Sequence, residues 1–268
     1  MNIEFLRRRF AKGLMVASLA MVPVACGDDP TGPGGGGAAT SVSLSISVPA
    51  AAPAPAIVPE FPFDIVFSDG ASTLTLTRVA MVLRDVDLEQ EFGECDDLPG
   101  QSDDDDCEEF ETGPFIIELP MDGAVETVLA ISDVPAATYD ELEFKVHKPE
   151  DDTAGDLDFL SRNPDFRDVS IRVEGDFDGQ AFVYETDLNA EQEVRLSPPL
   201  VVTDGASVNV TFSVDVSTWF RAFDGSLIDP ATANKGLINE EIVEDNIEAS
   251  IDVFEDDDHD GHDDSSDD

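Results

Sequence analysis

The chain has 268 residues, of which 60 are acidic and 14 are basic, so its formal net charge at pH 7 is −46. This charge repels polyanions and therefore excludes binding to nucleic acid, or to an anionic lipid surface, by charge alone. Hydrophobic residues make up 41% of the sequence, which is enough for a buried core and excludes a wholly disordered acidic protein.

The first 25 residues have the composition of a cleaved export signal. A basic start, MNIEFLRRRFAK, precedes the apolar run LMVASLAMVPVA, which is shorter than the ~20 residues that a transmembrane helix requires. The segment Arg7–Lys12 also resembles the twin-arginine export motif, and the general secretory route is the alternative. Because residues 1–25 hold four basic residues and one acidic residue, their removal would leave a net charge of about −49.

The end of this signal, Val24-Ala25-Cys26-Gly27, resembles the lipobox of bacterial lipoproteins. The resemblance implies that the signal is cut before Cys26, that this cysteine receives a diacylglyceryl thioether and that its amino group is often acylated too. Two or more acyl chains suffice for stable anchoring in a membrane. Gly27 in place of Asp favours sorting to an outer membrane. Residues 26–40 are rich in Gly and Pro and predict a flexible tether.

Alternation of apolar and polar residues predicts strands through most of residues 41–254. It recurs in SVSLSISV, FDIVF, ELEFKVHK, SIRVEG and SVNVTFSVDV, with shorter runs at 115–119, 125–131 and 181–187. In the first run the valines, leucine and isoleucine point to one side and the serines to the other. We expect an all-β fold, an antiparallel Greek-key β-sandwich, with a closed barrel as the alternative.

Two features refine the strand prediction. Asp178-Gly179 separates two alternating runs, and Gly tolerates the positive φ of a tight hairpin turn. The stretch 72–90 is too long for one regular strand, and its apolar phase slips between Leu76 and Val79. This slip predicts a bulge or a bend.

Helical spacing interrupts the strand pattern twice. A short helix is predicted around Asp156–Asn163, ended by Pro164. A second helix is predicted to begin at Asn239, with acidic residues in its first turn and an apolar stripe. The stripe consists of Val243, Ile247, Ile251 and Phe254.

Cys95 and Cys107 remain as an even pair once Cys26 carries lipid. They bracket the acidic loop DDLPGQSDDDD, and outside the cytoplasm such a pair favours a disulfide. Two reduced thiols, or a thiolate–carboxylate metal site, are the alternatives.

The acidic tail, residues 255–268, contains DDDHDGHDDSSD at 256–267, which resembles the DxDxDG calcium loop of EF-hands, dockerins and thrombospondin type-3 repeats. Ca²⁺ prefers six to eight oxygen ligands, and a Gly after three alternating Asp residues permits the sharp turn that gathers them. Position 12 is Asp, where EF-hands have Glu. The expected ligands are Asp256, Asp258, Asp260, the carbonyl of His262, Asp264 and Asp267.

Two other interpretations of the tail stay open. A run of like charges is often only a solvated tail. His259 and His262, three positions apart among carboxylates, could instead hold Zn²⁺ or Cu²⁺.

The sequence contains no familiar catalytic motif: GxSxG, HExxH, a Gly-rich phosphate loop and CxxC are all absent. His147 alternates with the apolar residues of its strand, so we expect it on the solvated outer face. The only Trp lies in the group Trp219, Phe220 and Arg221, which is either a ligand patch or a cover over the open end of the sandwich.

Two functions are therefore expected from the sequence. The first is a lipid-anchored cell-envelope lipoprotein, a non-catalytic binding or structural β-sandwich stabilised by calcium, with an unknown protein or glycan as its partner. The second is a secreted hydrolase that acts on glycans with loop carboxylates.

Overall fold

A computed structural model describes residues 40–49, 64–90, 112–132 and 134–264. The predicted signal, Cys26, the tether up to residue 39, the Cys95–Cys107 pair and Asp267 lie outside these residues. Neither helix in the described ranges has the length and apolar content needed to cross a bilayer.

The elements in chain order are β1 (Ser41–Ser47), β2 (Ile65–Ser68), β3 (Thr73–Gln90), β4 (Phe115–Glu118), β5 (Glu126–Ser132), β6 (Thr138–Val146), α1 (Ala154–Arg162), β7 (Ile171–Phe177), β8 (Gln180–Thr186), β9 (Ala190–Val201), β10 (Ser207–Val214), α2 (Glu240–Glu248) and β11 (Ile251–Glu255).

The predicted all-β sandwich is confirmed. A four-stranded sheet has the order β11-β10-β1-β5, and a seven-stranded sheet has the order β8-β7-β3-β6-β9, with β2 and β4 also paired to β3. All pairs are antiparallel except β1 with β10, which run parallel. The inner faces of both sheets share one core, in which Phe144 of β6 meets Phe212 of β10 edge-on at a centroid distance of 4.9 Å.

The 18-residue strand β3 organises the larger sheet, and the predicted bulge is present. Its pairing with β7 shifts between Leu76 and Arg78, and its pairing with β6 shifts between Arg84 and Asp87. At the junction, the Val82 amide donates to the Ser170 carbonyl (2.8 Å) and the Val82 carbonyl accepts from the His147 amide (2.9 Å). The end of β6 and the start of β7 therefore meet at one residue of β3.

The chain between these two strands covers the outside of this junction. Helix α1, with the following turn, packs Phe159, Leu160 and Phe166 against Ala80 and Val82 in a second, smaller core. The predicted helix is thus confirmed within about two residues, and Thr153 caps it by accepting from the Asp156 amide.

The same helix shows that the prediction of a solvated His147 was wrong. His147 does lie on the outer face of its sheet, but it is only 6% exposed there. Its Nε2 lies 2.8 Å from Oδ1 of the buried Asp156, in the first turn of α1. Alternation within one strand cannot reveal that a distant segment covers its polar face.

The predicted second helix extends further than the observed helix α2. Helix α2 ends at Glu248, and the Ser250 amide donates to the Ile247 carbonyl. Ile251 and Phe254 belong to β11, which pairs with β10 from Ile251 opposite Val214 to Glu255 opposite Val210. The free edge of β10 offers backbone hydrogen bonds that a continuing helix would leave unpaired.

Strand β9 was not predicted either, because it lies at a sheet edge and carries two prolines. The hairpin at Asp178-Gly179 is confirmed, with φ of 51° and 83° as a type I′ turn requires.

The Trp219 segment covers the sandwich and is not a surface patch. Trp219 and Phe220 are 0% and 1% exposed, and the Trp219 indole donates to Ser250 Oγ at 2.7 Å. Arg221 binds the carbonyl groups of Ser217 and Gly225, so it fixes the turn around it. Among the large apolar side chains of this segment, Phe223 faces solvent.

The outer face of β6 and β9 carries a pair of carboxylates whose proton affinity is perturbed. A hydrogen bond with Glu191 is the main cause that raises the pKa of Glu143 to about 7, and burial and the charges of Glu191, Glu89 and Asp87 act in the same direction. The folded protein therefore holds a proton at Glu143 that the unfolded chain releases near pH 4.5.

We expect Glu143→Gln to raise the melting temperature at pH 8 and to change it much less at pH 4. Between pH 4.5 and 7 the native state binds more protons than the unfolded state, so the free energy of unfolding falls as pH rises through this window. Thermal unfolding followed by circular dichroism across pH 4–8 measures the effect. Glu126→Gln removes one exposed charge from the other sheet and is the control; an equal pH profile in both variants would contradict the prediction.

Candidate metal centre

The C-terminal tail is folded back on the four-stranded sheet as far as the structure describes it, to residue 264. It follows β11 directly and lies against the outer face of β1 and β10. Asp256 is fully buried there, although a carboxylate is rarely buried without partners. Residues 256–264 are named the tail loop below.

The carboxylate of Asp256 gathers the tail loop around itself. Its Oδ1 accepts from the Asp260 amide at 3.0 Å, and its Oδ2 accepts from the Gly261 amide at 3.1 Å and from the Thr211 hydroxyl at 2.8 Å. Asp258 Oδ1 also accepts from the Asp260 amide, at 3.1 Å. The chain therefore curls over three successive alternating aspartates, as the sequence pattern predicts.

Asn209 of β10 joins this loop to the sheet. Its side-chain amide donates to the Asp256 carbonyl at 2.8 Å and to Thr211 Oγ1 at 3.1 Å. Its side-chain oxygen accepts from Ser45 at 2.8 Å and from Ser43 at 3.0 Å. Asn209 is 2% exposed. Each polar atom of this buried side chain therefore needs a hydrogen-bond partner, and β1, β10 and the tail loop provide them.

The polar side of β1 is part of the same support. Ser45 is fully buried and also lies 3.1 Å from the Thr127 hydroxyl of β5, and Ser47 is only 6% exposed. The alternation of serines in β1 therefore marks a face that the tail loop covers, not a solvent-facing side.

Gly261 is required by its surroundings. Its φ is +81°, in the left-handed region, and a Cβ atom would come within 3.1 Å of Val125 Cγ2 and 3.7 Å of Ser47 Cβ. The turn therefore brings the loop into contact with the sheet at a point where only glycine fits without displacement.

Three of the expected ligands lie within the dimensions of a calcium site. Asp256, Asp258 and Asp260 each offer a carboxylate oxygen, and these oxygens all lie within 4.8 Å of one another. Two ligands on opposite sides of an ion, each about 2.4 Å away, are about 4.8 Å apart. The three oxygens can therefore surround one Ca²⁺ ion, with waters or carbonyl groups completing the shell.

The remaining expected ligands are placed differently. The His262 amide donates to Asp260 Oδ1 at 2.8 Å, which fixes the chain at position 7 of the loop. Asp264 Oδ2 accepts from the Asp257 amide at 2.7 Å, so this carboxylate closes the loop. His259, the other histidine of the zinc alternative, has its Nδ1 3.1 Å from the Asp257 carbonyl.

The electrostatics of the tail loop favour a cation. Burial raises the pKa of Glu255, and the charges of Asp257, Asp264 and Asp263 raise it further. The part of this rise that comes from the three aspartates indicates that like charges lie close together here. A divalent cation bound by the neighbouring aspartates would reduce this repulsion.

Sequence reasoning identified the aspartates but missed Asn209 and Thr211, which anchor them. Their signal was the polar pair N-x-T within the apolar run SVNVTFSV, matched by the serines of β1. Only the parallel pairing of these strands, with Ser43 opposite Asn209 and Ser45 opposite Thr211, brings the two patterns together.

Comparison with protein-family models, with curated proteins and with solved structures finds no match to this chain.

We expect Asn209→Ala to lower the free energy of unfolding by about 2–4 kcal/mol, since it removes the four hydrogen bonds of a buried side chain, with Ser43, Ser45, Thr211 and the Asp256 carbonyl. Urea denaturation measures the change. Ser207→Ala, which removes an exposed hydroxyl contact with Ser41 on the same two strands, is the matched control and should cost less than about 1 kcal/mol. Equal losses in the two variants would show that the network contributes little.

Proposed function

We propose that this chain is a lipid-anchored lipoprotein of the cell envelope. Its β-sandwich is a non-catalytic module that binds a protein or glycan, or builds part of the envelope, and the tail loop holds a structural Ca²⁺ ion. The arrangement of the Asp256, Asp258 and Asp260 carboxylates supports the calcium site. The lipobox at Cys26 supports the anchor, and the basic-apolar start supports export.

The described chain begins at one end of the smaller sheet. The Gly205 amide donates to Thr40 Oγ1, and the Ser41 amide donates to the Ala206 carbonyl, so residue 40 lies beside the turn before β10. Strand β10 has eight residues and spans about 25 Å to the opposite end. The long segment 215–250 begins there, at the end of the sheet opposite residue 40.

That distal segment is the best candidate for partner binding. Phe223 is fully exposed on the turn that Arg221 holds, and Ile238 is 88% exposed before α2. Aromatic side chains such as Phe223 are enriched at protein interfaces relative to the rest of the surface.

The glycan-hydrolase alternative has one supporting observation. The pKa of Glu143, which is raised to about 7, lies in the range that suits a general acid near neutral pH. However, it shares a hydrogen bond with Glu191, whereas the two carboxyl groups of glycosidases stand about 5 Å or more apart. The pair therefore favours a shared proton over catalysis.

We expect millimolar Ca²⁺ to raise the melting temperature of the protein, relative to excess chelator, by about 3–6 °C. This corresponds to roughly 1.4 kcal/mol for a site with a Kd of ~10⁻⁴ M. The double variant Asp258→Asn and Asp260→Asn should reduce this shift, because it removes two exposed ligands without touching the buried Asp256. The control double variant, Asp165→Asn with Asp204→Asn, removes two exposed acids elsewhere and should keep the full shift. Loss of the shift in this control would indicate a general charge effect.

We expect Cys26→Ala to prevent lipidation. In cells of a Gram-negative host, the native protein should enter the detergent phase on Triton X-114 partition and incorporate labelled palmitate, and the variant should do neither. Cys95→Ala, which keeps the lipobox, is the control. Palmitate labelling that persists in the Cys26 variant would overturn the anchor assignment.

A further inference from the structure

Strand β5 forms one edge of the four-stranded sheet, and among the described residues no strand lies on its outer side. An edge strand presents unpaired backbone N–H and C=O groups, which form a template for a strand of another chain. Natural proteins block such edges with charges, prolines, short strands or covering segments. Strand β5 lacks these devices, whereas the other outer strands have them.

The other outer strands in the described part of the chain are blocked in different ways. On β8 the Asn234 side chain takes the place of a neighbouring strand: its Oδ1 accepts from the Glu185 amide at 2.9 Å, and its Nδ2 donates to the Val183 carbonyl at 3.5 Å. Strand β9 contains Pro198 and Pro199. Strand β11 has five residues, two of them acidic, and β2 and β4 have four residues each. These edges are therefore poor templates for pairing.

Strand β5 is uncharged along most of its length, in a chain in which 28% of the residues are charged. After Glu126 it reads TVLAIS, without a charge or a proline. One bulge, at Val128, interrupts its register with β1. Val128 and Leu129 pack against the core but are only partly buried. A strand added at this edge would bury more of both side chains.

The hydrogen bonds of β1 show which backbone groups of β5 face outward. The Ser41 amide donates to the Ala206 carbonyl, so residue 41 directs its backbone groups toward β10. Val42, the next residue, directs them toward β5, where its partner is Ile131. Ile131 therefore bonds to β1, and Ala130 beside it directs its N–H and C=O to the open edge. The Ala130 side chain is exposed.

We propose that β5 pairs with β5 of a second copy of this chain, antiparallel and centred on Ala130, so that two four-stranded sheets join into one continuous sheet. A two-fold axis brings the same edge of both copies together, and the other edges of the second copy are blocked. The acidic ends of the two strands then lie far apart. Glu126 precedes Ala130 by four positions in each copy, so the two Glu126 residues are about 25 Å apart.

The net charge of the chain opposes this contact and gives it a characteristic salt dependence. Two copies that each carry a charge of −46 repel each other, and salt screens this repulsion. Self-association should therefore strengthen as NaCl rises from about 0.05 M to about 0.5 M. A contact between opposite charges would weaken over the same range. The proposal does not depend on the lipid anchor or on calcium in the tail loop.

Co-purification of two differently tagged copies of the full-length chain tests the proposal. The copies are produced together in a Gram-negative host and solubilised in excess detergent, and capture of one tag should recover the other. When both copies carry Ala130→Glu, like charges lie opposite each other, and we expect recovery to fall by about threefold or more. A copy with Ala130→Glu and a copy with Ala130→Arg should pair again, which also shows that both variants fold.

Ala181→Glu places the same charge on an exposed position of β8 and is the matched control. Recovery should stay at the native level in this control. All variants keep the lipobox, so recovery that results from a shared micelle would be equal in every pair. The proposal is overturned if the native pair does not co-purify at the higher salt concentration, if Ala130→Glu and Ala181→Glu have equal effects, or if Ala130→Arg does not restore recovery.

Discussion

The smaller sheet depends on the hydrogen bonds of one side chain, Asn209. It links β1, β10 and the tail loop, three segments that are far apart in the sequence. Buried hydroxyls and carbonyls are costly without partners, and Asn209 supplies a donor or an acceptor to each of its neighbours. Because Thr211 and Asp256 complete the same network, the acidic loop can lie on the sheet instead of extending into water. The position of the aspartates therefore follows from the polar face beneath them.

Two groups of carboxylates attach the C-terminal part of the chain to the sandwich. The tail loop closes over β1 and β10, while Glu240 and Glu244 of α2 face the end of β8. In a chain with a net charge of −46, such contacts place like charges close together. Lys235 offsets part of this repulsion at α2. A cation bound in the tail loop, as proposed, would stabilise the first of these contacts by adding positive charge where the fold has concentrated negative charge.

Sequence patterns predicted the strands in which one face is apolar and buried in the core. The alternation in β1, β6, β7 and β10 predicted strands, and Asp178-Gly179 predicted their hairpin, because local sterics decide both. The same patterns failed where a distant segment decides. Helical spacing through Ile251 was overridden by the open edge of β10, and the outward-facing His147 was covered by α1. Edge pairing and coverage depend on the whole fold, which periodicity does not contain.

The sequence by itself determined the class of fold, the alternating carboxylates of the tail loop and the need for glycine at 261, since these depend on residue type and short-range geometry. Only the tertiary structure decided that the tail loop rests on Asn209 and Thr211 and that Thr186 of β8 binds Glu244 of α2. The partners in these contacts are separated by between 45 and 58 residues along the chain. No local pattern encodes such pairs, because each hydrogen bond forms only after strand pairing has brought the two segments together.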